Sequence, residues 1–362
     1  MKKLILVIIL FLIFPIRVNA ISAEAVIVMD ADSGRVLYGK NINKQKLIAS
    51  TTKIMTCLLA IENGNLDQKI TVTEEILKAY GSAIYIELGE ELTLRDLLYG
   101  LMLRSGNDAA IMIAVAISGN MEKFAALMNY RAGEIGMRNT VFYNSHGLEE
   151  KNNVGNKSTA YDMALLTREA IKTSEFLKIF GTKKYTTTSN FKSYSWTNKN
   201  KLLTTYEFTT GGKTGYTELA KRTLVTTASK DNKKLIVVTL NDGNDFSNHK
   251  ELYIEYFNKY HLVKVLNKNN FKVLEDSYYK NETLVIKNNF NMLVTSEEEK
   301  SIRTVIELDK VKRKNDDVRV GTAKVYLGDE LIGEEGIYIE LERVTKKQGF
   351  WAKLLDFVTF WN

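Results

Sequence analysis

The segment NDAAIMIAVAIS, residues 107–118, leaves the chain few choices of fold, because it is apolar around nearly its whole circumference. A helix of that kind is expected in the interior of a protein core. β-rich runs lie before it at residues 25–39 and after it at 211–241. The sequence therefore predicts an α/β domain in which a cluster of helices is inserted into one antiparallel sheet.

The strands of that sheet are predicted from short β-rich runs joined by turns. AVIVMD (25–30) and RVLYG (35–39) should form a hairpin, and the runs at 211–217, 222–229 and 234–241 should pair antiparallel. Helices are predicted from Ser50 to Asn63, from the Thr93–Asp96 pair, over 107–118 and 121–135, from the Thr159–Asp162 capping pair, and over 248–260.

The two ends of the chain differ from this domain. Residues 1–20 are typical of a secretory signal peptide, with Lys2 and Lys3 before an apolar run and Ala20 at the cleavage site; an uncleaved anchor is the alternative. The sequence becomes short and β-rich over 262–345, which predicts a small all-β domain after a main domain at 21–261.

The last segment, 346–362, contains the sequence GFWAKLLDFVTFWN and is predicted to form an amphipathic helix. It is too short to span a bilayer, but its Trp and Phe side chains suit the membrane interface. The alternative is a helix whose apolar face packs back on the β-rich domain.

Charge and residue usage limit the possible functions. Loss of the first 20 residues would lower the formal charge from +7 to +4, and the excess is spread out, so no nucleic-acid partner is expected. Cys57 is the single cysteine, which rules out an intrachain disulfide, and it is interpreted as a core residue rather than a reactive thiol. His146, His249 and His261 have no metal-ligand spacing, so no metal or cofactor is predicted.

Ser50 and Lys53 form the first candidate for chemistry, because residues three apart share one helical face. Backbone N–H groups at the first turn of a helix would stabilise an oxyanion beside the serine. A lysine in an apolar site has a lowered pKa, and the neutral amine can take the hydroxyl proton. This pair therefore suggests a serine nucleophile that works without histidine.

Two further motifs strengthen that hypothesis. SGN at Ser105–Asn107 lies between two predicted helices, and KTG at Lys213–Gly215 lies on a predicted strand. Together with S-x-x-K they match the ordered set of β-lactamases and penicillin-binding proteins. Second copies exist, but SGN at 118–120 ends a helix at Gly119, and S-x-x-K at 189–192 lies in a polar stretch without a helix start.

With its flanking residues, the chain resembles the serine D-Ala-D-Ala carboxypeptidases, the low-molecular-weight penicillin-binding proteins. The matching blocks are ASTTKIMT (49–56), LRSGNDAA (103–110), NSHGL (144–148), STAYDMA (158–164) and GGKTGYT (211–217). The resemblance covers residues 22–261 and implies a β-lactamase/transpeptidase-like fold. Ile48 and Ser145 stand where the family often has proline, which changes loop stiffness and leaves the catalytic atoms in place.

The resemblance also implies roles for the motif residues. Ser50 would be the nucleophile, Lys53 the base for acylation, and Ser105 the group that passes a proton to the leaving D-Ala. Asn107 would hold the substrate amide, with Gly215 leaving room for the substrate along the strand. Lys213, charged, and Thr214 would bind the terminal carboxylate, and the N–H groups of Ser50 and Tyr216 would form the oxyanion hole.

The expected function is a secreted, membrane-attached carboxypeptidase that removes the terminal D-Ala from peptidoglycan stem pentapeptides and is acylated by β-lactams. DD-endopeptidase or transpeptidase activity remains open, because these reactions differ only in leaving group or acceptor. A β-lactamase would share the three motifs but would usually lack the β-rich domain and apolar tail. A catalytically silent cell-wall-binding scaffold is the non-enzymatic alternative.

Overall fold

The structure is a computed structural model that describes residues 21–273, 278–280, 282–311 and 318–340. The predicted signal peptide (1–20) and C-terminal helix (346–362) lie outside the described residues. The chain divides after His261 into two compact units.

The first unit contains strands β1–β11 and helices α1–α8. The strands are β1 (Ala25–Asp30), β2 (Val36–Lys40), β3 (Lys46–Leu47), β4 (Lys69–Thr71), β5 (Glu91–Thr93), β6 (Lys157–Ser158), β7 (Lys184–Thr188), β8 (Ser193–Thr197), β9 (Thr209–Thr217), β10 (Lys221–Lys230) and β11 (Lys233–Leu240). The helices are α1 (Lys53–Asn63), α2 (Leu94–Tyr99), α3 (Asn107–Ser118), α4 (Met121–Ile135), α5 (Ala160–Ala170), α6 (Ser174–Gly181), α7 (Leu202–Thr205) and α8 (Asp245–Lys259).

One five-stranded sheet organises this unit, with the order β2-β1-β11-β10-β9. Its pairs are antiparallel, and the register places Val28 opposite Val237 and Val237 opposite Thr226. The helices α1–α7 are inserted in the chain between β2 and β9, which confirms the predicted fold class. Strand β9, which carries the KTG motif, lies at an edge of the sheet.

Helix α3 lies in the core, as its apolar sequence predicts. Its residues from Asn107 to Ala114 are buried, and it packs against α1 and α4. Helix α1 is also buried from Lys53 to Ala60. Each large apolar side chain removed from water in this way contributes roughly 1.5–3 kcal/mol, so the helix that carries Lys53 is firmly held.

Several helix ends follow the predicted capping residues. Thr93 accepts a hydrogen bond from the Asp96 N–H in a capping box, and Thr159 accepts one from Asp162. Gly119 ends α3 with a φ of 83°, in the left-handed region. The helical stretch predicted from Ser50 to Asn63 is present, but its first turn, Ala49–Thr52, is a 3₁₀ turn and the α-helix begins at Lys53.

The second unit is an all-β domain, as predicted. Its strands are β12 (His261–Leu266), β13 (Leu284–Ile286), β14 (Phe290–Val294), β15 (Ile302–Leu308), β16 (Arg319–Leu327) and β17 (Glu330–Ile339). They form a four-stranded sheet with the order β13-β17-β16-β15 and a separate β12-β14 pair. Met292, Val320, Val325 and Ile337 are fully buried in its core.

Within the described ranges, no single helix combines the length and apolarity needed to cross a membrane. The bent pair α3–α4, with 82° between its helices, meets those criteria only when the two are taken together.

Candidate active site

Ser50 lies in a tight turn whose backbone is fixed by its neighbours. The hydroxyl of Thr51 donates to the Ile48 carbonyl at 2.6 Å, and Ala49 takes a left-handed φ of 45°. Gly147 packs so closely that a Cβ there would lie 1.9 Å from the Ala49 carbonyl oxygen. Since Ser50 itself is only half-buried, the turn presents its hydroxyl to solvent from a rigid backbone.

Lys53 is fully buried one helical turn after Ser50. Its Nζ lies 2.7 Å from Asn107 Oδ1, 2.6 Å from the His146 carbonyl oxygen and 3.1 Å from Ser50 Oγ. Burial, reinforced by the nearby Lys213 amine, holds the pKa of Lys53 well below its ordinary value. A neutral amine has two N–H donors and one lone pair, so donation to the two carbonyl oxygens leaves the lone pair for the serine hydroxyl.

Both polar atoms of the Asn107 side-chain amide form hydrogen bonds within the chain. Its oxygen accepts from Lys53, and its nitrogen donates to the Tyr80 carbonyl at 2.6 Å. The backbone N–H of Asn107 also donates to the Ser82 carbonyl. Because the Asn107 side chain is buried, these contacts fix it in a position that orients Lys53. The sequence did not predict this role. The predicted role of Asn107 in holding a substrate amide stays a prediction.

Ser105 and Lys213 form a second hydroxyl–amine pair. Ser105 takes a left-handed φ of 64° just before α3, and Lys213 Nζ donates to its Oγ at 3.1 Å and to the Thr214 carbonyl at 2.7 Å. Burial, with a contribution from Lys199, lowers the pKa of Lys213 to about 7. A pKa near 7 leaves this amine only partly protonated at neutral pH. That Lys213 carries a positive charge when it binds a carboxylate stays a prediction.

Gly215 brings β9 against the nucleophile turn. A Cβ at this position would lie 2.4 Å from Thr223 Oγ1 and 3.0 Å from the Ser50 nitrogen. The space that the missing side chain leaves is thus filled by the chain itself, whereas the sequence analysis reserved it for the substrate. Thr214 is half-buried and the Tyr216 side chain is exposed on either side of Gly215.

An open cavity of about 430 Å³ joins these motifs. Its lining residues are Ser50, Ser82, Ser105, Lys199, Lys201, Thr214, Gly215, Tyr216, Arg222, Asp245 and Phe246. Arg222 is held by Asp245 through Nε at 3.1 Å and Nη2 at 2.6 Å. Lys199, Lys201 and Arg222 thus give the cavity three basic lining residues.

Six lining residues were missed by the sequence analysis: Ser82, Lys199, Lys201, Arg222, Asp245 and Phe246. They belong to no motif, and they meet the site through pairing and packing that join distant parts of the chain. Arg222 was detectable in principle, because it lies six residues after Tyr216, just beyond the KTG motif, and pairs with it across the turn between β9 and β10.

His146 has a structural environment. Its Nδ1 accepts from the Leu148 N–H at 3.1 Å, and burial, with the nearby Lys53, lowers the pKa of the imidazole to about 3. The NSHGL loop is fastened further by Ser145 Oγ, which donates to the Ala110 carbonyl at 2.8 Å. The serine that stands where the family often has proline thus ties this loop to α3.

The other candidate nucleophiles in the sequence, Ser189 and Cys57, do not line the cavity that contains Ser50. Ser189 and Lys192 are in the turn between β7 and β8, where Ser189 Oγ donates to the Lys192 carbonyl and Lys192 Nζ to that of Tyr85. Cys57 is buried, which raises the pKa of its thiol. In the part of the chain that the structure describes, no three His, Cys, Asp or Glu side chains are grouped as metal ligands.

Comparison with known families decides the relationship. Residues 14–244 match the family model described as D-alanyl-D-alanine carboxypeptidase. The chain belongs to this family. Residues 260–346 match a second model, the C-terminal domain of penicillin-binding protein 5.

Individual relatives support the same assignment. D-alanyl-D-alanine carboxypeptidase DacF of Bacillus subtilis is 39% identical over 222 residues, a match covering 60% of this chain and 56% of the relative. DacC of Escherichia coli is 33% identical, covering 64% of this chain and 59% of the relative. The chain thus spans somewhat more than half the length of these two relatives.

Solved structures extend the likeness to both units. Penicillin-binding protein 5 of Haemophilus influenzae has a TM-score of 0.74 at 26% identity, covering 88% of this chain and 97% of that one. A mutant of the DD-transpeptidase of Streptomyces K15 has a TM-score of 0.61 at 30% identity, covering 66% of this chain and 99% of that one.

Proposed function

We propose that this family member is a serine D-alanyl-D-alanine carboxypeptidase that removes the terminal D-Ala from peptidoglycan stem pentapeptides. The observation that carries the proposal is the Lys53 amine, buried and held by two carbonyl oxygens with its remaining position facing Ser50 Oγ at 3.1 Å. The family membership and the names of the relatives agree with it.

Acylation begins with the transfer of the Ser50 proton to the neutral Lys53 amine. Ser50 Oγ then attacks the carbonyl carbon between the two D-alanines, and the oxyanion lies at the N–H groups of Ser50 and Tyr216. One such donor typically contributes about 10²–10³ in rate. The close contact of Gly215 with the Ser50 backbone supports this assignment, since it brings β9 beside the nucleophile.

Collapse of the tetrahedral intermediate breaks the C–N bond and releases D-Ala. Ser105 passes its proton to the leaving nitrogen and receives in turn the proton that Lys53 took from Ser50, so that Lys53 is neutral again. Lys213, whose Nζ donates to Ser105 Oγ at 3.1 Å, keeps its own proton and orients that hydroxyl. Lys213 and Thr214 bind the terminal carboxylate, which raises the pKa of the lysine and restores its charge in the complex. Lys53 then takes a proton from the water that attacks the acyl-enzyme ester, and it returns that proton to Ser50 Oγ as the ester C–O bond breaks.

Labelled penicillin tests the nucleophile directly, because β-lactams acylate the same hydroxyl as the peptide. Ser50→Ala should abolish covalent labelling and D-Ala release. Ser189→Ala is the matched control, because it removes the serine of the second S-x-x-K copy and should leave labelling intact. Labelling that survives in Ser50→Ala, or that disappears in Ser189→Ala, would refute the assignment.

Other functions predict other products. A transpeptidase would join the acyl group to an added amine, a β-lactamase would turn over penicillin rapidly instead of retaining it, and a silent scaffold would neither label nor release D-Ala. The two carbonyl contacts of Lys53 favour an active enzyme over the scaffold, because they keep a buried amine beside a serine at a desolvation cost.

The substrate is in the cell wall, so the proposed location is outside the cytoplasmic membrane. Export by residues 1–20 and peripheral attachment through 346–362 are parts of this proposal that rest on sequence alone. Peptidoglycan stem peptides and β-lactams are the expected ligands.

A further inference from the structure

Strand β9 provides a path for the substrate beyond the scissile bond. It is an edge strand, and extended peptides commonly bind such an edge as an additional strand. A peptide paired antiparallel with β9, with its scissile carbonyl at the N–H groups of Ser50 and Tyr216, would place the residue before the two D-alanines alongside Thr217. Lys213 and Thr217 are four residues apart, or about 13 Å along a strand.

A carboxylate is fixed at that end of β9. Glu149 Oε1 accepts from the Thr217 hydroxyl at 2.5 Å, and the Glu149 carbonyl accepts from the exposed Tyr80 hydroxyl at 2.9 Å. Thr217 Oγ1 also accepts from the Ala220 N–H at 3.0 Å. This contact orients the Thr217 hydroxyl so that its proton points to Glu149. The Glu149 side chain is therefore held beside the strand by both its backbone and one carboxylate oxygen.

The second oxygen of this carboxylate has no partner within the chain. Among the described residues, Glu149 Oε2 accepts no hydrogen bond and Glu149 makes no ion pair. Other acidic residues around the domain do form ion pairs, including Glu24 with Lys46 and Asp245 with Arg222. An anion beside the substrate path with an open oxygen is suited to receive a cation from the substrate.

We propose that Glu149 is a specificity-determining residue that binds the side-chain amine of the residue immediately before the D-Ala-D-Ala pair. The substrate class is then a peptide with a diamino acid at that position. The inference rests on the proposed carboxypeptidase function and adds to it a preference for a positively charged substrate side chain. The proposed carboxylate-binding residue Lys213 and the Glu149 partner Thr217 lie four residues apart on β9, so a positive and a negative group would face the two ends of the bound dipeptide.

Two matched pentapeptides test the proposal, one with lysine and one with Nε-acetyl-lysine before D-Ala-D-Ala. The measured quantity is the ratio of their kcat/KM values for D-Ala release. The wild-type protein should favour the free amine by about five-fold, the range of a partly exposed ion pair. Glu149→Gln should bring the ratio close to one, and Glu149→Lys should reverse it.

Three further variants separate the role of Glu149 from general effects on folding. Glu150→Gln removes the neighbouring carboxylate and should keep the wild-type ratio. Thr217→Val removes the hydroxyl that holds Glu149 and should lower the ratio, while Thr217→Ser should restore it. Because each ratio compares two substrates on one protein, a general loss of activity cancels.

The outcomes distinguish this inference from the proposed function. A wild-type ratio of one, or a preference that persists in Glu149→Gln, overturns the role of Glu149 while D-Ala release still supports the carboxypeptidase. Failure of the wild-type protein to release D-Ala from either peptide overturns both.

Discussion

At the scale of single residues, the site contains two buried lysine amines, Lys53 and Lys213, that differ in their hydrogen-bond partners. Lys53 has two carbonyl oxygens and a serine hydroxyl within 3.1 Å, whereas Lys213 has the Ser105 hydroxyl and the Thr214 carbonyl. The sequence predicted a neutral and a charged lysine from the motifs alone. It predicted the lowered pKa of Lys53 but not that burial also lowers the pKa of Lys213, because the burial of that side chain depends on the tertiary fold.

Lys53→Arg should abolish acylation. Arginine stays protonated at any pH at which the protein is folded, so it cannot accept the Ser50 proton. We expect a loss of about 10²–10⁴ in the acylation rate, the usual contribution of a general base. Stopped-flow penicillin binding measures it, with circular dichroism as the folding control. Near-normal acylation by a folded Lys53→Arg protein would contradict the role of Lys53.

The pH dependence should report on Lys213. Its pKa in the free protein is about 7, and only the protonated form offers a positive charge to the substrate carboxylate. The kcat/KM for D-Ala release should therefore fall as the pH rises through about 7, and Lys213→Arg, whose charge does not titrate, should lack this alkaline limb. An alkaline limb that is unchanged in an active Lys213→Arg protein would assign it to another group.

At the scale of elements, the site is a junction of a 3₁₀ turn, a helix start and an edge strand. The sequence predicted the strand with KTG, the buried helix α3 and the capping residues, because each depends on local pattern. It missed the 3₁₀ turn at Ala49–Thr52 and the β7–β8 hairpin, whose polar sequence carries little strand signal. The sequence also could not show why a glycine is needed at position 215, because the atoms that leave no room for a side chain belong to Thr223 and to the Ser50 backbone.

Gly215→Ala tests that junction. The added Cβ would lie 2.4 Å from Thr223 Oγ1 and 3.0 Å from the Ser50 nitrogen, so β9 or the nucleophile turn must shift. We expect a loss of about 1–3 kcal/mol in the free energy of unfolding and slower acylation. Gly133→Ala is the matched control, because Gly133 lies in the last turn of α4 and a Cβ there would meet no atom within 4 Å apart from the backbone of its own helix. It should stabilise the protein by up to about 0.5–1 kcal/mol. Urea unfolding compares the two variants, and equal stabilisation by both would contradict the steric account.

At the scale of the whole molecule, the sequence predicted an α/β domain followed by an all-β domain, and both are present. The change along the chain was sufficient for this, because the helix-forming runs end near residue 260 and only short β-rich runs follow. The basic wall of the cavity was not predictable in the same way. Lys199, Arg222 and Asp245 come from separate segments, and the fold alone brings them together.

Removal of residues 347–362 tests the predicted membrane attachment. Seven large apolar side chains would share one face of the predicted helix: Phe350, Trp351, Leu354, Leu355, Phe357, Val358 and Trp361. Each would contribute roughly 1.5–3 kcal/mol on burial, enough to hold the helix at an interface even at half that value. The truncated, processed protein should remain in the supernatant after ultracentrifugation with membranes, with D-Ala release unchanged. Continued sedimentation of the truncated protein would place the attachment elsewhere.

Mass spectrometry of a stem pentapeptide after incubation with the protein tests the central claim most directly. The account predicts a tetrapeptide product that lacks one terminal D-Ala, formed by the wild-type protein and by Ser189→Ala but not by Ser50→Ala. An intact pentapeptide with the folded wild-type protein, or cleavage at an internal bond, would contradict a serine D-Ala-D-Ala carboxypeptidase that acts through Ser50.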